Sequence, residues 1–284
     1  PESKFSKARN AHYRNALRKA EVASDKGAAA IIVVGSPLKL EAVFNFKYQN
    51  LIRTFDKTSY ALPENIHRRI PIVFVSNVVA DELFRNSGYR LDSVLTKIEK
   101  TLKSAAFQIE GKKIALQSKF DTEIMMTQNV IGFLEGSDPV LKNEYIVIGA
   151  HMDHVGHGHF GAMDKKYVGQ IHNGADDNAS GTSAIIEMAK AFSSVKPQRS
   201  IVFIAFNAEE MGLLGARYYV YHQPAKPIEN TIAMLNFDMI GRNEPELLWV
   251  GGAFFGEDLV NMAKTANQYT GFELLYNMGL LSGA

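Results

Sequence analysis

From residue 129 onward the chain repeats one rhythm, in which short and almost uninterrupted apolar runs are separated by stretches whose apolar side chains recur at helical spacing. The runs cover residues 129–134, 145–150, 201–206, 232–238 and 247–251. Ile185, Met188, Ala189 and Phe192, and later Leu259, Met262, Ala263 and Ala266, follow the i, i+3, i+4, i+7 pattern of a helix with one buried face. A strand that is apolar on both faces needs cover on both, which a parallel sheet between layers of helices supplies. The pattern therefore predicts an α/β fold with a mixed, largely parallel sheet sandwiched by helices. Ligands of such sheets bind beyond the carboxyl ends of the strands, so function is to be sought at the strand exits.

The remainder of the chain is plainer. Helix formers over residues 8–26 turn at Gly27 into an apolar strand over 28–35, and a second short strand follows over 71–76. A helix is expected to start near Asp81, and an amphipathic stretch covers residues 91–102. Gly111 breaks the pattern and puts a boundary between a smaller α/β domain, residues 1–110, and a larger one, residues 111–284. Two domains also suit the length of 284 residues, at roughly 150 residues per domain.

Composition closes several classes of function. With 31 Lys+Arg against 30 Asp+Glu the formal net charge is +1, so no global field draws the chain to nucleic acid or anionic lipid. Lys4, Lys7, Arg9, Arg14 and Arg18 read as the solvated face of a helix rather than a nucleic-acid arm. The longest unbroken apolar run, residues 28–34, is far shorter than the ~20 residues of a bilayer span, so no membrane insertion is expected. Zero cysteines exclude disulfides, thiolate nucleophiles and cysteine-bearing zinc sites, leaving His, Asp and Glu as the strong metal ligands.

Those residue types gather where an α/β sheet would use them. Five of the eight histidines lie between His151 and His172, and His151 directly follows the run 145–150 in the order His151-Met152-Asp153-His154. Asp176-Asp177-Asn178 precedes the helix around Ile185, Glu209-Glu210 follows the run 201–206, and Asn236-Phe237-Asp238 closes the run 232–238. Carboxylates crowded together raise one another's pKa and oppose folding unless a cation compensates them. One imidazole and three carboxylates from separate exits suit zinc, with manganese or cobalt as substitutes.

Each piece has an ordinary explanation when taken singly. A His after a strand is usually a hydrogen-bonded loop residue, Asp-Asp-Asn before Ser-Gly is usually a helix N-terminus, and Glu209-Glu210 would be surface charge. Their coincidence at the strand exits of one sheet favours a metal site. His154, His157, His159 and His172 are read as loop or substrate-side residues. Gly156-His157-Gly158-His159-Phe160-Gly161 fits G-x-G-x-x-G, but no helical periodicity follows to receive a pyrophosphate. The sequon Asn178-Ala179-Ser180 lies inside the proposed site, where a glycan would block it.

Four motifs in order carry a family resemblance: Gly149-Ala150-His151-Met152-Asp153, Gly174-Ala175-Asp176-Asp177-Asn178-Ala179-Ser180-Gly181, Phe206-Asn207-Ala208-Glu209-Glu210, and Leu235-Asn236-Phe237-Asp238-Met239-Ile240-Gly241. Over residues 129–241 the chain resembles the co-catalytic di-zinc aminopeptidases, a family that also holds glutamate carboxypeptidases, glutaminyl cyclases and the non-enzymatic transferrin receptor. Residues 20–34 and 71–76 resemble, less specifically, a protease-associated domain, a module that often flanks the cleft of such peptidases.

The resemblance implies a zinc-dependent aminopeptidase acting on peptides. It makes Asp177 the carboxylate bridging two zinc ions, with His151 and Asp238 completing one side and Glu210 binding the other zinc. Glu209 becomes the general base, and Asp153 the acid that fixes the ring of His151. It also implies a non-proline cis peptide between Asp177 and Asn178. The family's second zinc is completed by a His near the C-terminus, whereas no His follows His222 here. Both domains are accordingly expected to be incomplete at their outer ends; if the sequence ends at Ala284, the second zinc is in question. A scaffold that has lost catalysis, a cyclase and a carboxypeptidase for acidic ends stand as alternatives, the last wanting more cleft arginines than Arg217 and Arg242. Extracytoplasmic residence is expected by resemblance only.

Overall fold

The structure is a computed structural model that describes residues 16–34, 59–63, 70–117, 121–252 and 256–277. The chain forms two compact units, Pro1–Glu123 and Ile124–Ala284. Among the described residues, no helix is long and apolar enough to cross a membrane.

In the first unit α1 (Ala16–Asp25) ends at Gly27, whose φ of 82° is open to glycine without steric penalty. Strands β1 (Ile31–Val34) and β2 (Ile72–Val75) pair in parallel, with Ile31 opposite Ile72. Helix α2 (Asn77–Phe84) begins four residues before Asp81, because the Ser76 hydroxyl accepts the Val79 N–H at 3.4 Å and caps it there. Helix α3 (Leu91–Thr101) is the amphipathic stretch, stopped at Leu102 in the left-handed region with φ 56°. Residues 8–15 of the expected first helix, Gly35 of the first strand, and Lys4, Lys7, Arg9 and Arg14 lie outside the described residues.

The second unit is built on a four-stranded sheet in the order β3-β5-β4-β6. Strands β4 (Tyr145–His151), β5 (Ser200–Phe206) and β6 (Thr231–Asn236) are parallel, and β3 (Val130–Leu134) runs antiparallel to β5. Helix α4 (Gly181–Ser193) joins β4 to β5, and α5 (Leu214–Tyr221) joins β5 to β6. Strand β7 (Leu247–Gly251), α6 (Glu257–Asn267) and β8 (Glu273–Asn277) follow, with β7 and β8 paired in parallel as a two-stranded ladder.

Alternation along β4 and β5 divides the core between the two sheet faces. Val147, Val202, Ile204 and Phe206 pack with Tyr219 of α5 on one side, and Ile148, Ala150, Ile201 and Phe203 pack with Ile185 of α4 on the other. The sandwich expected from the apolar runs thus holds for the central pair. The flanking strands differ, since Ile131 and Phe133 of β3 and Ile232 and Met234 of β6 are exposed. Among the described residues each of those strands has a single partner strand, so its apolar residues form flanks of the sheet rather than its centre.

In-register parallel pairing brings the strand exits level. His151 stands opposite Phe206, and Gly149 opposite Asn236, so the residues that follow β4, β5 and β6 emerge at one edge of the sheet.

Candidate metal centre

His151 is the last residue of β4 and is only 3% exposed. Its Nδ1 lies 3.0 Å from the main-chain oxygen of Asp153, which can only accept, so the neutral ring carries its proton on Nδ1 and leaves the Nε2 lone pair free. That Nε2 is 3.2 Å from Asp177 Oδ1 and 3.3 Å from Asp238 Oδ1, with Glu209 Oε2 at 4.0 Å. His151, Asp177 and Asp238 form one group able to hold a metal ion, and His154, Asp177 and Glu210 form a second. In the second group His154 Nδ1 lies 2.7 Å from Glu210 Oε1 and 3.7 Å from Asp177 Oδ2. Asp177 therefore belongs to both groups and offers one oxygen to each.

Asn178, Gly181 and Thr182 hold this arrangement in place. Asn178, 2% exposed, donates from Nδ2 to the Phe237 carbonyl at 2.9 Å and accepts through Oδ1 from Gly181 N–H at 2.9 Å and Met239 N–H at 3.3 Å. Those bonds clamp both chain neighbours of Asp238 to the segment that carries Asp177. Gly181 is needed at this crossing, since a Cβ there would collide with the Phe237 carbonyl and the Asn178 amide. The Thr182 hydroxyl donates to the His151 carbonyl at 2.8 Å, tying the start of α4 to the end of β4. The peptide bond between Asp177 and Asn178 is cis.

Asp153 has a wider part than fixing a ring. Its carboxylate stands 3.8 Å from His151 Nδ1, and it accepts the main-chain N–H of Glu209 at 3.0 Å and of Glu210 at 3.2 Å. It thereby positions the two glutamates, while its carbonyl orients the imidazole.

The electrostatics follow from this crowding. Burial opposes the imidazolium of His151, but the hydrogen bond and charge of Asp238, the Asp153 carbonyl and the charge of Glu209 outweigh it and lift the group from 6.5 to about 9. The carboxyl of Glu209 is raised chiefly by burial; His151 pulls it down, while Glu210, Asp238 and Asp153 push it further up. A metal-free cluster of this kind attracts positive charge. Its imidazole and carboxylate donors are those of zinc sites, and among the described residues the buried Nδ1 of His154 and Oε1 of Glu210 have no hydrogen-bond partner, so the residues fit a bound cation.

The six residues that the strand-exit motifs single out, His151, Asp153, Asp177, Glu209, Glu210 and Asp238, meet at this edge. The sequence gives no part to Asn178 or Thr182, whose hydrogen bonds cross 59 and 31 residues, and it reads His154 as a loop or substrate-side residue. His154 had a signal, since it lies three residues beyond His151 at the same exit. His157, His159 and His172 belong to neither metal group, and burial of Asn178 leaves the sequon no access to a glycan.

An α/β sheet that brings imidazoles and carboxylates together beyond its parallel strands, in groups fit for cations, places a candidate metal site where such folds bind their ligands. The chain belongs to peptidase family M28, whose sequence pattern matches residues 129–277, all within the second unit. Aminopeptidase YwaD of Bacillus subtilis is 36% identical over 132 residues, which are 46% of this chain and 26% of that protein. Leupeptin-inactivating enzyme 1 of Streptomyces exfoliatus is 33% identical over 143 residues, 50% of this chain and 27% of that protein. Among solved structures, a zinc aminopeptidase from Bacillus subtilis shares 32% identity over 52% of this chain and 33% of its own, with a TM-score of 0.42. The chain spans about a quarter of the length of these curated relatives.

Proposed function

We propose that this chain carries the centre of a metal-dependent exopeptidase that removes N-terminal residues from peptides, using two zinc ions and Glu209 as general base. Family membership and the names of its relatives support peptidase chemistry. The observation that carries the two-metal reading is Asp177, whose two oxygens face separate groups of ligands. His151 and Asp238 would hold one ion with Asp177, and Glu210 would hold the other with it.

Bound there, a pair of divalent ions would polarise the scissile carbonyl and lower the pKa of a water toward ~7. The protein's own part is proton transfer and positioning. Glu209 is half-buried with its carboxyl raised, which suits a base near neutral pH; it takes a proton from the attacking water and returns it to the departing amine. Asp153 holds Glu209 and Glu210 by their main chains, so base and ligand keep their spacing through the cycle. The carboxylates around the centre would also favour the free α-amino group of a peptide, which selects for an N-terminal residue. The first unit is read as a protease-associated module and the protein as extracytoplasmic on resemblance alone.

Hydrolysis of a panel of aminoacyl anilides, with and without chelator, tests this. Turnover is expected to vanish with chelator and return with zinc, and Glu209→Gln is expected to keep its zinc and lose roughly 10²- to 10⁴-fold in kcat. Chelator-resistant turnover, or equal rates for both proteins at matched zinc content, would overturn the reading.

A further inference from the structure

We infer that Asn173-Gly174 is a site of spontaneous chemical modification, at which water converts the asparagine into an isoaspartyl link and ammonia leaves. The modification itself is independent of the function proposed above; only its effect on turnover rests on that reading.

The chemistry begins at a main-chain nitrogen. Once solvent hydroxide has taken the Gly174 amide proton, that nitrogen attacks Cγ of Asn173. The new C–N bond closes a five-membered succinimide, and the Cγ–Nδ2 bond breaks with release of ammonia. Water then opens the ring at either carbonyl. Opening at the side-chain carbonyl leaves aspartate, and opening at the original main-chain bond leaves isoaspartate, with the chain running through Cβ and Cγ. The sum is amide plus water to carboxylic acid plus ammonia, with nothing oxidised or reduced. A side chain on the following residue hinders the attack, and Asn173 is the one asparagine in the sequence that is followed by glycine.

The fold keeps this dipeptide reactive. Asn173 is exposed in the irregular segment 171–174, and among the described residues neither its side-chain amide nor the Gly174 N–H takes part in a hydrogen bond. Asn178 is the contrast, 2% exposed and hydrogen-bonded through both ends of its amide. Glycine is also imposed at 174. Its φ is 64°, and a Cβ there would lie 3.0 Å from the Asp177 carbonyl oxygen and 3.0 Å from Cβ of His154. The residue that makes Asn173 labile is therefore one that the turn carrying Asp177 cannot give up.

The link is pinned at both ends. His172 donates its N–H to the Gly156 carbonyl at 2.8 Å, and the Gly174 carbonyl accepts the Ala179 N–H at 3.0 Å across the turn Ala175–Ser180. Isoaspartate inserts one main-chain carbon between those anchors, about 1.5 Å of contour, together with a carboxylate. Gly174 is wedged against the stem of His154, so the added length is taken up by the turn that holds Asp177.

Incubation of the full chain at mildly alkaline pH, followed by tryptic mass mapping over residues 167–190 and by labelling with an isoaspartate-specific methyltransferase, tests the inference. Isoaspartate is expected at residue 173 before any other asparagine, faster as pH rises, with Asn178 in the same peptide unconverted. Asn173→Gln, whose amide would have to close a larger ring, should take up no label at this position. The converted fraction, separated by its added charge, should turn over aminoacyl anilides roughly 100-fold more slowly, the cost of a misplacement of about 1 Å. Asn173→Gln incubated in parallel should keep its starting rate. An unconverted residue 173 under conditions that convert a synthetic peptide of the same sequence would overturn the site. A converted fraction as fast as the fresh chain would overturn its effect on the centre. If the fresh chain itself fails to turn over the anilides, the proposed function falls, while mass and label still decide the modification.

Discussion

The two histidines of the centre are three residues apart and are held in opposite ways. His151 ends a central strand and is tied on every side: to β5 and β6 through the β4 ladder, to Thr182 through its carbonyl, and to the Asp153 carbonyl through Nδ1. His154 lies beyond the ladder, is about a quarter exposed, and has a buried Nδ1 without a hydrogen-bond partner among the described residues. The first imidazole is fixed before any ion arrives, whereas the second is oriented mainly by packing. Preorganised ligands lose little freedom on binding. The group around His151 should therefore hold its ion more firmly and release it last during slow chelation.

That contrast can be broken from the core outward. Ile204 is fully buried at the centre of the sheet, and Ile204→Ala should lower stability by about 2–5 kcal/mol in urea unfolding. If the firmness of the His151 group comes from the ladder, the variant should lose the difference in release rate between the two ions as well. Asn178→Ala is narrower. It leaves the Phe237 carbonyl and two N–H groups without partners, at about 1–3 kcal/mol for each group that stays buried. Because those bonds flank Asp238, metal affinity should fall at the His151 group and much less at the His154 group, as two-site calorimetry would reveal.

The gentlest lever is pH. In the metal-free fold His151 is raised from 6.5 to about 9. The stability it contributes is fully present below 6.5 and is lost as pH rises through about 9, so melts of chelated protein should drop over that window. An ion entering this group must displace the same proton. Its apparent affinity should climb about tenfold per pH unit until the imidazole is neutral, near 9, and then level off. A flat profile across that window would place the proton elsewhere.

The parts of the fold that could be read from sequence are those where burial forces a pattern. Strands β4 and β5 are apolar on both faces because helices cover both, and that necessity is visible in Tyr145–His151 and Ser200–Phe206 as near-continuous runs. Strand β8 was missed because Glu273–Asn277 is short, has one partner strand among the described residues and carries little periodicity. Helix α5 was missed because Leu214–Tyr221 is rich in tyrosine, and its helical state is stabilised by Tyr219 packing on Phe206 of the sheet face it covers. The division between the units falls at 123/124, where the sequence reading put it near Gly111. Lys112 Nζ donates to the Glu82 carbonyl at 3.0 Å, which keeps the chain beyond Gly111 attached to the first unit.

At the centre the same distinction holds. Ligand-type residues at strand exits announce themselves by chemistry, and Asp177, Glu209, Glu210 and Asp238 were legible for that reason. Asn178 and Thr182 act only through main-chain atoms of residues remote in sequence, so their side chains carry no local signature. His154 was visible as a residue and ambiguous in its role, since only the folded path of Gly174 shows where its ring is aimed.

Because one carboxylate, that of Asp153, grips the amides of both Glu209 and Glu210, the turn after β5 cannot be redesigned piece by piece. An engineer grafting this centre onto another scaffold would have to transplant the β4 exit and the β5 exit together as a matched cassette. Swapping either loop alone would leave the other with a dangling anchor.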